Sequence, residues 1–214
     1  MIARQNASAH VLGHVHDLRR ANLIFDWTLR SIERCGSWAV VGGAPRAWVT
    51  TQSSAVRDLD MVVTTDPQKL ELIVQQLSMT AGSNEFAILG RTSLGGHRLS
   101  IRGLSVDIWS LRSTLGIVRG WTIDSNVFRS VANAAALSVD TLVVTAHGGL
   151  YERGFFKSYN EGRMWLLRSE TVGPEKLARK ALKISKEYRL IPDIPLSALI
   201  AQYAADNVGA QSGE

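Results

Sequence analysis

The residues best suited to chemistry in this 214-residue chain are two aspartates, Asp58 and Asp60, which directly precede the apolar run 61–63. Residues two apart on a β-strand point to the same face, so the two carboxylates are expected to lie side by side. Like charges at that distance repel each other unless they are neutralised, and a divalent cation is the usual partner. Carboxylate oxygens favour magnesium or manganese, so the pair predicts a metal site.

Two further features fit the same chemistry. Asp107 lies in the strand-like run 104–111, where an acid among apolar residues is costly unless it is paired or bound to metal. Gly42 and Gly43 follow the apolar run 38–41, which indicates a buried strand that ends in a glycine turn. Glycines let backbone N–H groups approach a phosphate closely. Together these residues predict nucleotidyl transfer, in which two metal ions activate a hydroxyl and stabilise the departing pyrophosphate.

Two segments carry a resemblance to a known family: Gly42-Gly43-Ala44-Pro45-Arg46 and Arg57-Asp58-Leu59-Asp60-Met61-Val62-Val63-Thr64. They resemble the head domain of CCA-adding enzymes and bacterial poly(A) polymerases, which belong to the DNA polymerase beta-like nucleotidyltransferase superfamily. The resemblance implies that Gly42, Gly43 and Arg46 hold a nucleoside triphosphate. It implies that the metal ligands for two Mg²⁺ or Mn²⁺ ions are Asp58, Asp60 and Asp107. Arg57 is a second expected nucleotide contact, although it could instead only balance the charge of the acids.

The resemblance extends, more weakly, toward the C-terminus. Residues 128–134 resemble the family's Arg-Asp-Phe-Thr-Ile-Asn-Ala element, which makes Asn133 a candidate nucleotide contact; a packed helix with a backbone partner for Asn133 is the alternative. Residues 174–179 resemble the Asp-Pro-x-Arg-x-x-Arg helix, with Lys176 and Arg179 at its two basic positions. The alternative there is a basic helix face exposed to solvent.

The chain departs from the family pattern at Ala47, where an acid is usual, and it ends soon after Arg179. We therefore expect template-independent transfer of a nucleotide to a hydroxyl acceptor, but not addition of CCA to tRNA. The expected product is a short oligonucleotide, with a short single strand of nucleic acid as partner. A nucleotidyltransferase toxin that modifies tRNA or a protein is the alternative, and a catalytically dead binding module is a third class.

The last predicted helix carries one further candidate, Tyr203. The chain is similar in size to nucleotidyltransferases of the Hailong type of anti-phage defence, and that resemblance implies a C-terminal tyrosine as the starting hydroxyl. It also implies a signalling product and an effector protein as partner. The alternative is core packing, because Leu196, Leu199, Ile200 and Tyr203 fall at helical spacing.

Composition limits the class of protein. Hydrophobic residues make up 45% of the chain and charged residues 20%, which predicts a packed globular core. The net charge of +5 suits polyanionic partners such as triphosphates or nucleic acid. Cys35 is the only cysteine, so no intramolecular disulfide can form, as is typical of a reducing compartment. Without a signal peptide or an apolar run of about 20 residues, we expect a cytoplasmic protein that does not insert into membranes.

The expected fold is α/β: a small mixed, twisted sheet of about four or five strands with helices on its outer side, then a short helical C-terminal part. The expected domains are a nucleotidyltransferase head over 1–145 and a helical region over 146–214. Expected strands are 37–41, 59–64, 86–89, 97–101, the strand of Asp107, and 138–145. Residues 1–13 are expected to be loose, and the expected helices are 14–35, a short helix up to about 52, one capped by Asp66 that opens at Pro67, and 161–169, 174–189 and 196–207.

Overall fold

A mixed β-sheet of seven strands forms the centre of the fold in this computed structural model, which describes residues 1–51, 56, 58–92, 95–120, 124–170 and 172–211. The strands are β1 (Trp38–Val41), β2 (Asp58–Val63), β3 (Phe86–Arg91), β4 (His97–Ile101), β5 (Leu104–Ser110), β6 (Val143–Thr145) and β7 (Leu150–Tyr151), and a separate two-stranded sheet holds β8 (Arg163–Met164) and β9 (Ile191–Pro192). The helices are α1 (Arg4–Ala21), α2 (Leu23–Glu33), α3 (Gly43–Thr50), α4 (Pro67–Thr80), α5 (Leu115–Val118), α6 (Val127–Ala134), α7 (Phe155–Glu161), α8 (Pro174–Tyr188) and α9 (Ile194–Gln211).

The strand order of the large sheet is β3-β4-β5-β2-β1-β6-β7. Strand β2 lies between β1, which is antiparallel to it, and β5, which is parallel to it. The α/β class and the mixed sheet are therefore confirmed, whereas the expected count of four or five strands is wrong. The difference arises at one edge, where the short strands β6 and β7 extend the sheet beside β1.

Alternation along the strands gives the sheet two different faces. One face carries Trp38, Leu59 and Ile108 and packs into the main core, which α1, α2, α3 and α4 cover. The opposite face carries Ala39 and Val62 in a smaller apolar cluster beneath α6. Residues of β2 that share the parity of Val62 thus face away from the four covering helices, toward the less covered side.

The N-terminal region differs from the expectation. Instead of a loose terminus and one helix over 14–35, helix α1 already begins at Arg4, and α2 follows it at Leu23. Helix α1 packs on the core through buried residues that recur every four positions, Ala7, Val11 and Val15. The break lies at Asn22, whose side chain accepts a hydrogen bond from the backbone N–H of Phe25 and donates one to the carbonyl of Ile101. Asn22 therefore caps α2 and ties it to the sheet.

Helix α4 begins as the sequence predicts. The Asp66 side chain accepts a hydrogen bond from the N–H of Gln68 at 2.9 Å, and Pro67 occupies the first turn. A cap and a proline at these positions fix the start of the helix directly after β2.

The C-terminal region contains α8 and α9 close to their expected bounds, but the expected helix at 161–169 is wrong. Helix α7 ends there instead, at the left-handed residue Gly162 (φ +64°), and the chain continues into β8. The expected strand over 138–145 is shorter, because a 3-10 turn at Ser138–Asp140 precedes β6.

The sheet strand β7 lies just beyond the expected boundary at 145, and the division into two domains stays a prediction. Within the part of the chain that the structure describes, no helix is both long and apolar enough to cross a membrane.

Candidate active site

Three aspartates lie together on the less covered face of the sheet, and the spacing of Asp58 and Asp60 in the sequence predicts that these two share a face. Asp58 and Asp60 alternate on β2 with the fully buried Leu59. The parallel pairing of β2 with β5 places Asp107 directly opposite Asp60. All three carboxylates line one cavity of about 420 Å³, together with Arg98 and Ser105. The candidate metal ligands therefore come from two neighbouring strands and meet at one end of the sheet.

The glycine turn adjoins this cavity. Antiparallel pairing sets Val41, the last residue of β1, opposite Asp60, and Gly42 follows with a φ of +74°. A Cβ atom on Gly42 would lie 2.6 Å from the Asp60 Oδ2 atom, which is closer than real contacts allow. Both the backbone angle and the close approach require glycine at this position. Helix α3 starts at Gly43 without a side-chain cap at Gly42, and its first residues Gly43 and Ala44 line a cavity with Asp58 and Asp60.

Asp60 is the carboxylate most strongly affected by its surroundings. Its pKa is raised from 3.8 to about 6, chiefly by burial; the charge of Lys180 lowers it, and the charges of Asp107, Asp140 and Asp58 add to the increase. With this pKa the carboxyl is mostly ionised at neutral pH, at a cost in free energy that a nearby cation would offset. The site thus favours a bound cation at neutral pH.

Asp107 already has such a cation. Arg98 lies opposite it on the neighbouring strand β4. The Arg98 Nε atom donates to Asp107 Oδ1 at 2.8 Å, and Nη2 donates to Oδ2 at 2.7 Å. Among the residues that the structure describes, no three His, Cys, Asp or Glu side chains stand in a ready-made metal-binding cluster. One of the three candidate metal ligands, Asp107, is thus paired with Arg98 in this structure.

Arg46, the expected phosphate contact, is directed toward a different partner. Its guanidinium donates to the buried Asp140, which comes from the 3-10 turn before β6, and lies over the ring of Tyr188 at 5.5 Å. Lys180 on α8 reaches the other Asp140 oxygen at 2.7 Å. Although burial opposes ionisation, these two cations hold the pKa of Asp140 below its usual value. The Arg46 side chain is only 10% exposed, which leaves little of it accessible to a phosphate. Phosphate binding by Arg46 therefore stays a prediction.

Asp60 also lines two further cavities. One of about 300 Å³ is bounded by Gly43, Arg46, Asp58 and Lys180. Another of about 350 Å³ has a largely apolar wall and is lined in part by Gly42, Trp109, Val131, Ala134, Leu177, Lys176 and Lys180. Helix α8 thus contributes two lysines, four positions apart, to the lining of these cavities. Arg179 on the same helix is exposed and lines neither of them.

Asn133 and Tyr203 do not line the cavities around the carboxylates. Asn133 is half-buried on α6, and its backbone carbonyl accepts a hydrogen bond from Arg168 Nε at 3.0 Å. Tyr203 is half-buried on α9 and lines a separate cavity of about 390 Å³ with Pro174 and Glu175 at the start of α8. Arg57 lies outside the described residues. The nucleotide-binding or priming roles of all three stay predictions.

Two site residues, Asp140 and Lys180, were missed as candidates in the sequence. A signal for Asp140 exists, since it is a lone acid in the apolar segment 137–144, the same pattern that marks Asp107. Lys180 is one of several basic residues on its helix, and nothing in the sequence separates it from the others. Lys180 stands out only through its ion pair with Asp140, which lies forty positions earlier in the chain.

Comparison with known proteins identifies the fold. No protein family and no curated protein matches the sequence. A CCA-adding enzyme in complex with ATP superimposes with a TM-score of 0.64 at 15% identity, covering 95% of this chain and 47% of that one. The Thermotoga maritima CCA-adding enzyme complexed with tRNA gives 0.58 at 16% identity, covering 86% of this chain and 42% of the other.

A tRNA nucleotidyltransferase complexed with a primer tRNA and an incoming ATP analog gives a TM-score of 0.57 at 15% identity, covering 85% of this chain and 50% of that one. The chain therefore spans about half the length of the solved structures that it matches. At such identities the likeness establishes the fold alone. The resemblance to the nucleotidyltransferase head is confirmed at that level.

Proposed function

We propose that this chain is a metal-dependent, template-independent nucleotidyltransferase, which transfers NMP or dNMP from a nucleoside triphosphate to a hydroxyl acceptor and releases pyrophosphate. The observation that carries the proposal is the juxtaposition of Asp58, Asp60 and Asp107 beside the glycine turn. The fold shared with CCA-adding enzymes, which bind CTP and ATP according to their structures, supports it.

The donor set suits a hard divalent cation. The candidate ligands are carboxylates, and burial together with neighbouring acids raises the pKa of Asp60 to about 6, so a cation would be favoured there. Asp58, Asp60 and Asp107 would hold two Mg²⁺ or Mn²⁺ ions. When bound, such ions lower the pKa of the acceptor hydroxyl and neutralise charge on the triphosphate.

The chain's own residues then account for binding of the triphosphate. The N-terminal N–H groups of α3, reached across Gly42 and Gly43, suit phosphate oxygens because they are uncapped and lie at the positive end of the helix dipole. Lys176 and Lys180 add positive charge, because both line a cavity with Gly42. The ion pair with Asp140 fixes the position of Lys180, and Lys180 lines a cavity together with Asp60.

The acceptor that we propose is a short oligonucleotide. Helix α8 exposes basic side chains along its length, and such a row can guide a single strand through contacts with its phosphates. These side chains are Lys176, Arg179, Lys180, Lys183 and Lys186. If the product is an oligonucleotide, we propose, from the resemblance, that it serves as a signal in anti-phage defence and is read by an effector protein.

The activity is tested with each ribo- and deoxyribonucleoside triphosphate labelled at the α-phosphate, in Mg²⁺, with no acceptor, DNA, RNA, tRNA or a protein extract. We expect label in an oligonucleotide, and none with the double variant Asp58→Asn/Asp60→Asn. The matched control is Asp17→Asn, which removes an exposed carboxylate on α1. Label that enters only tRNA or protein would establish the toxin alternative, and persistence of activity in the double variant would contradict the proposed site.

Tyr203 is the starting hydroxyl that we propose for synthesis without a primer. It lines a cavity with Pro174 and Glu175, the two residues that precede Lys176 in the chain, and Lys176 lines a cavity with Asp60 and Asp107. Tyr203→Phe keeps the ring and removes the hydroxyl. A variant that extends a supplied oligonucleotide but starts no chains supports priming by Tyr203, whereas initiation equal to that of the wild type makes the tyrosine a packing residue.

A further inference from the structure

The Arg98–Asp107 pair differs from an ordinary surface ion pair in its place and geometry. The two residues are direct neighbours across β4 and β5, and the guanidinium engages both carboxylate oxygens, at 2.8 and 2.7 Å. Bidentate pairing of this kind fixes the orientation of the carboxylate as well as its charge. Asp107 is therefore held by the arginine and not merely near it.

Arg98 also lies within reach of the other carboxylates. It lines the same cavity as Asp58 and Asp60. Its side chain is 54% exposed, whereas that of Asp107 is 21% exposed, so the arginine is the more accessible partner of the pair. The hydrogen bonds to Asp107 and the charge of that carboxylate raise the pKa of Arg98 above its usual value, and the charges of Asp58 and Asp60 add smaller contributions.

We propose that Arg98 is the resident cation of this site, which occupies Asp107 in the metal-free protein and releases that carboxylate when a divalent ion binds. The inference rests on the proposed function for the identity of the site. Three carboxylates and one guanidinium leave the cavity with a net negative charge, which repels a triphosphate. Doubly charged ions remove that barrier, so nucleotide binding follows metal binding, and metal binding in turn requires the arginine to leave Asp107.

The first test measures the affinity for Mn²⁺ alone, without nucleotide, by the electron paramagnetic resonance signal of the free ion. Arg98→Gln removes the competing cation, and we expect it to bind Mn²⁺ roughly threefold to tenfold more tightly than the wild type. Arg102→Gln is the matched control. Arg102 pairs with Glu85 near the β4–β5 turn and does not line the carboxylate cavity, so its loss should leave the affinity unchanged.

The second test observes the exchange in the wild-type protein. The Nε–H resonance of Arg98, identified by its loss in Arg98→Gln, reports the hydrogen bond to Asp107 in ¹⁵N NMR spectra. Saturation with Mg²⁺ should shift it to the position of a solvated arginine, while the Arg102 resonance stays in place. This measurement needs no variant other than for assignment, and Arg98→Lys can replace Arg98→Gln if the latter does not fold.

Two results would overturn the inference: an Mn²⁺ affinity in Arg98→Gln that is equal to or weaker than that of the wild type, or an Arg98 resonance that Mg²⁺ leaves unchanged. Neither measurement involves turnover. A protein that transfers no nucleotide but releases Arg98 on Mg²⁺ binding loses the proposed function and keeps this inference. An active transferase whose Arg98 stays bound to Asp107 in saturating Mg²⁺ shows the reverse.

Discussion

Asp60 should destabilise the metal-free protein, and its replacement by asparagine should reveal by how much. Its pKa is raised from 3.8 to about 6 in the folded protein. Well below pH 3.8 the carboxyl is largely protonated in both the folded and the unfolded state. Between pH 4 and pH 6 the folded state binds more protons than the unfolded state, so stability falls as pH rises, and above about pH 6 the full penalty is present.

The size of the penalty follows from the pKa difference. Each pKa unit corresponds to about 1.4 kcal/mol, so Asp60→Asn should raise the free energy of unfolding by about 3 kcal/mol at pH 8. Near pH 4 the same variant should differ from the wild type by less than about 1 kcal/mol. Asparagine keeps the size and shape of the side chain, so it should fit beside Gly42 as the aspartate does.

The assay is urea unfolding at pH 4 and pH 8 in the presence of a chelator, so that no metal ion offsets the repulsion. Asp17→Asn is the control, because its exposed carboxylate should change stability by no more than about 0.5 kcal/mol at either pH. Destabilisation of Asp60→Asn at pH 8 would show that attraction to Lys180 outweighs burial and repulsion. That result would refute the electrostatic description of the site.

Three further predictions concern the neighbours of Asp60. Gly42→Ala places a Cβ at a φ of +74° and 2.6 Å from Asp60 Oδ2, and urea unfolding should show a loss of about 1–2 kcal/mol or more; unchanged stability would contradict the strained turn. Asp140→Asn leaves the buried Arg46 without its counter-charge and should cost on the order of 3 kcal/mol, which the same assay measures. Lys180→Gln removes the charge that lowers the Asp60 pKa, so the carboxyl midpoint in ¹³C NMR titrations should rise, and a fall would contradict the assignment.

The sequence predicts the carboxylate site well because its information is local. The period of two along a strand places Asp58 and Asp60 on one face whatever the rest of the chain does. A lone acid in an apolar strand needs a partner, and this argument identifies Asp107 without knowledge of strand order. Its position directly opposite Asp60 depends on the parallel pairing of β2 with β5, which no local pattern specifies.

The features that the sequence does not predict depend on distant contacts. Helix α1 presents only three small buried residues among polar ones, so its helical pattern is weak until the core lies beneath it. The helix break at Asn22 depends on a hydrogen bond to Ile101, seventy-nine positions away. The pair of Arg46 with the buried Asp140 joins residues ninety-four positions apart, which no local pattern indicates.

The most direct measurement of the central claim compares a nucleoside triphosphate labelled at the α-phosphate with one labelled at the γ-phosphate, each incubated with the protein, Mg²⁺ and a short oligonucleotide. Nucleotidyl transfer predicts that the α label enters the oligonucleotide and that the γ label is released as pyrophosphate. Both should disappear on addition of excess chelator. Transfer of the γ label to the acceptor, release of the γ label as inorganic phosphate alone, or full activity in chelator would contradict the account.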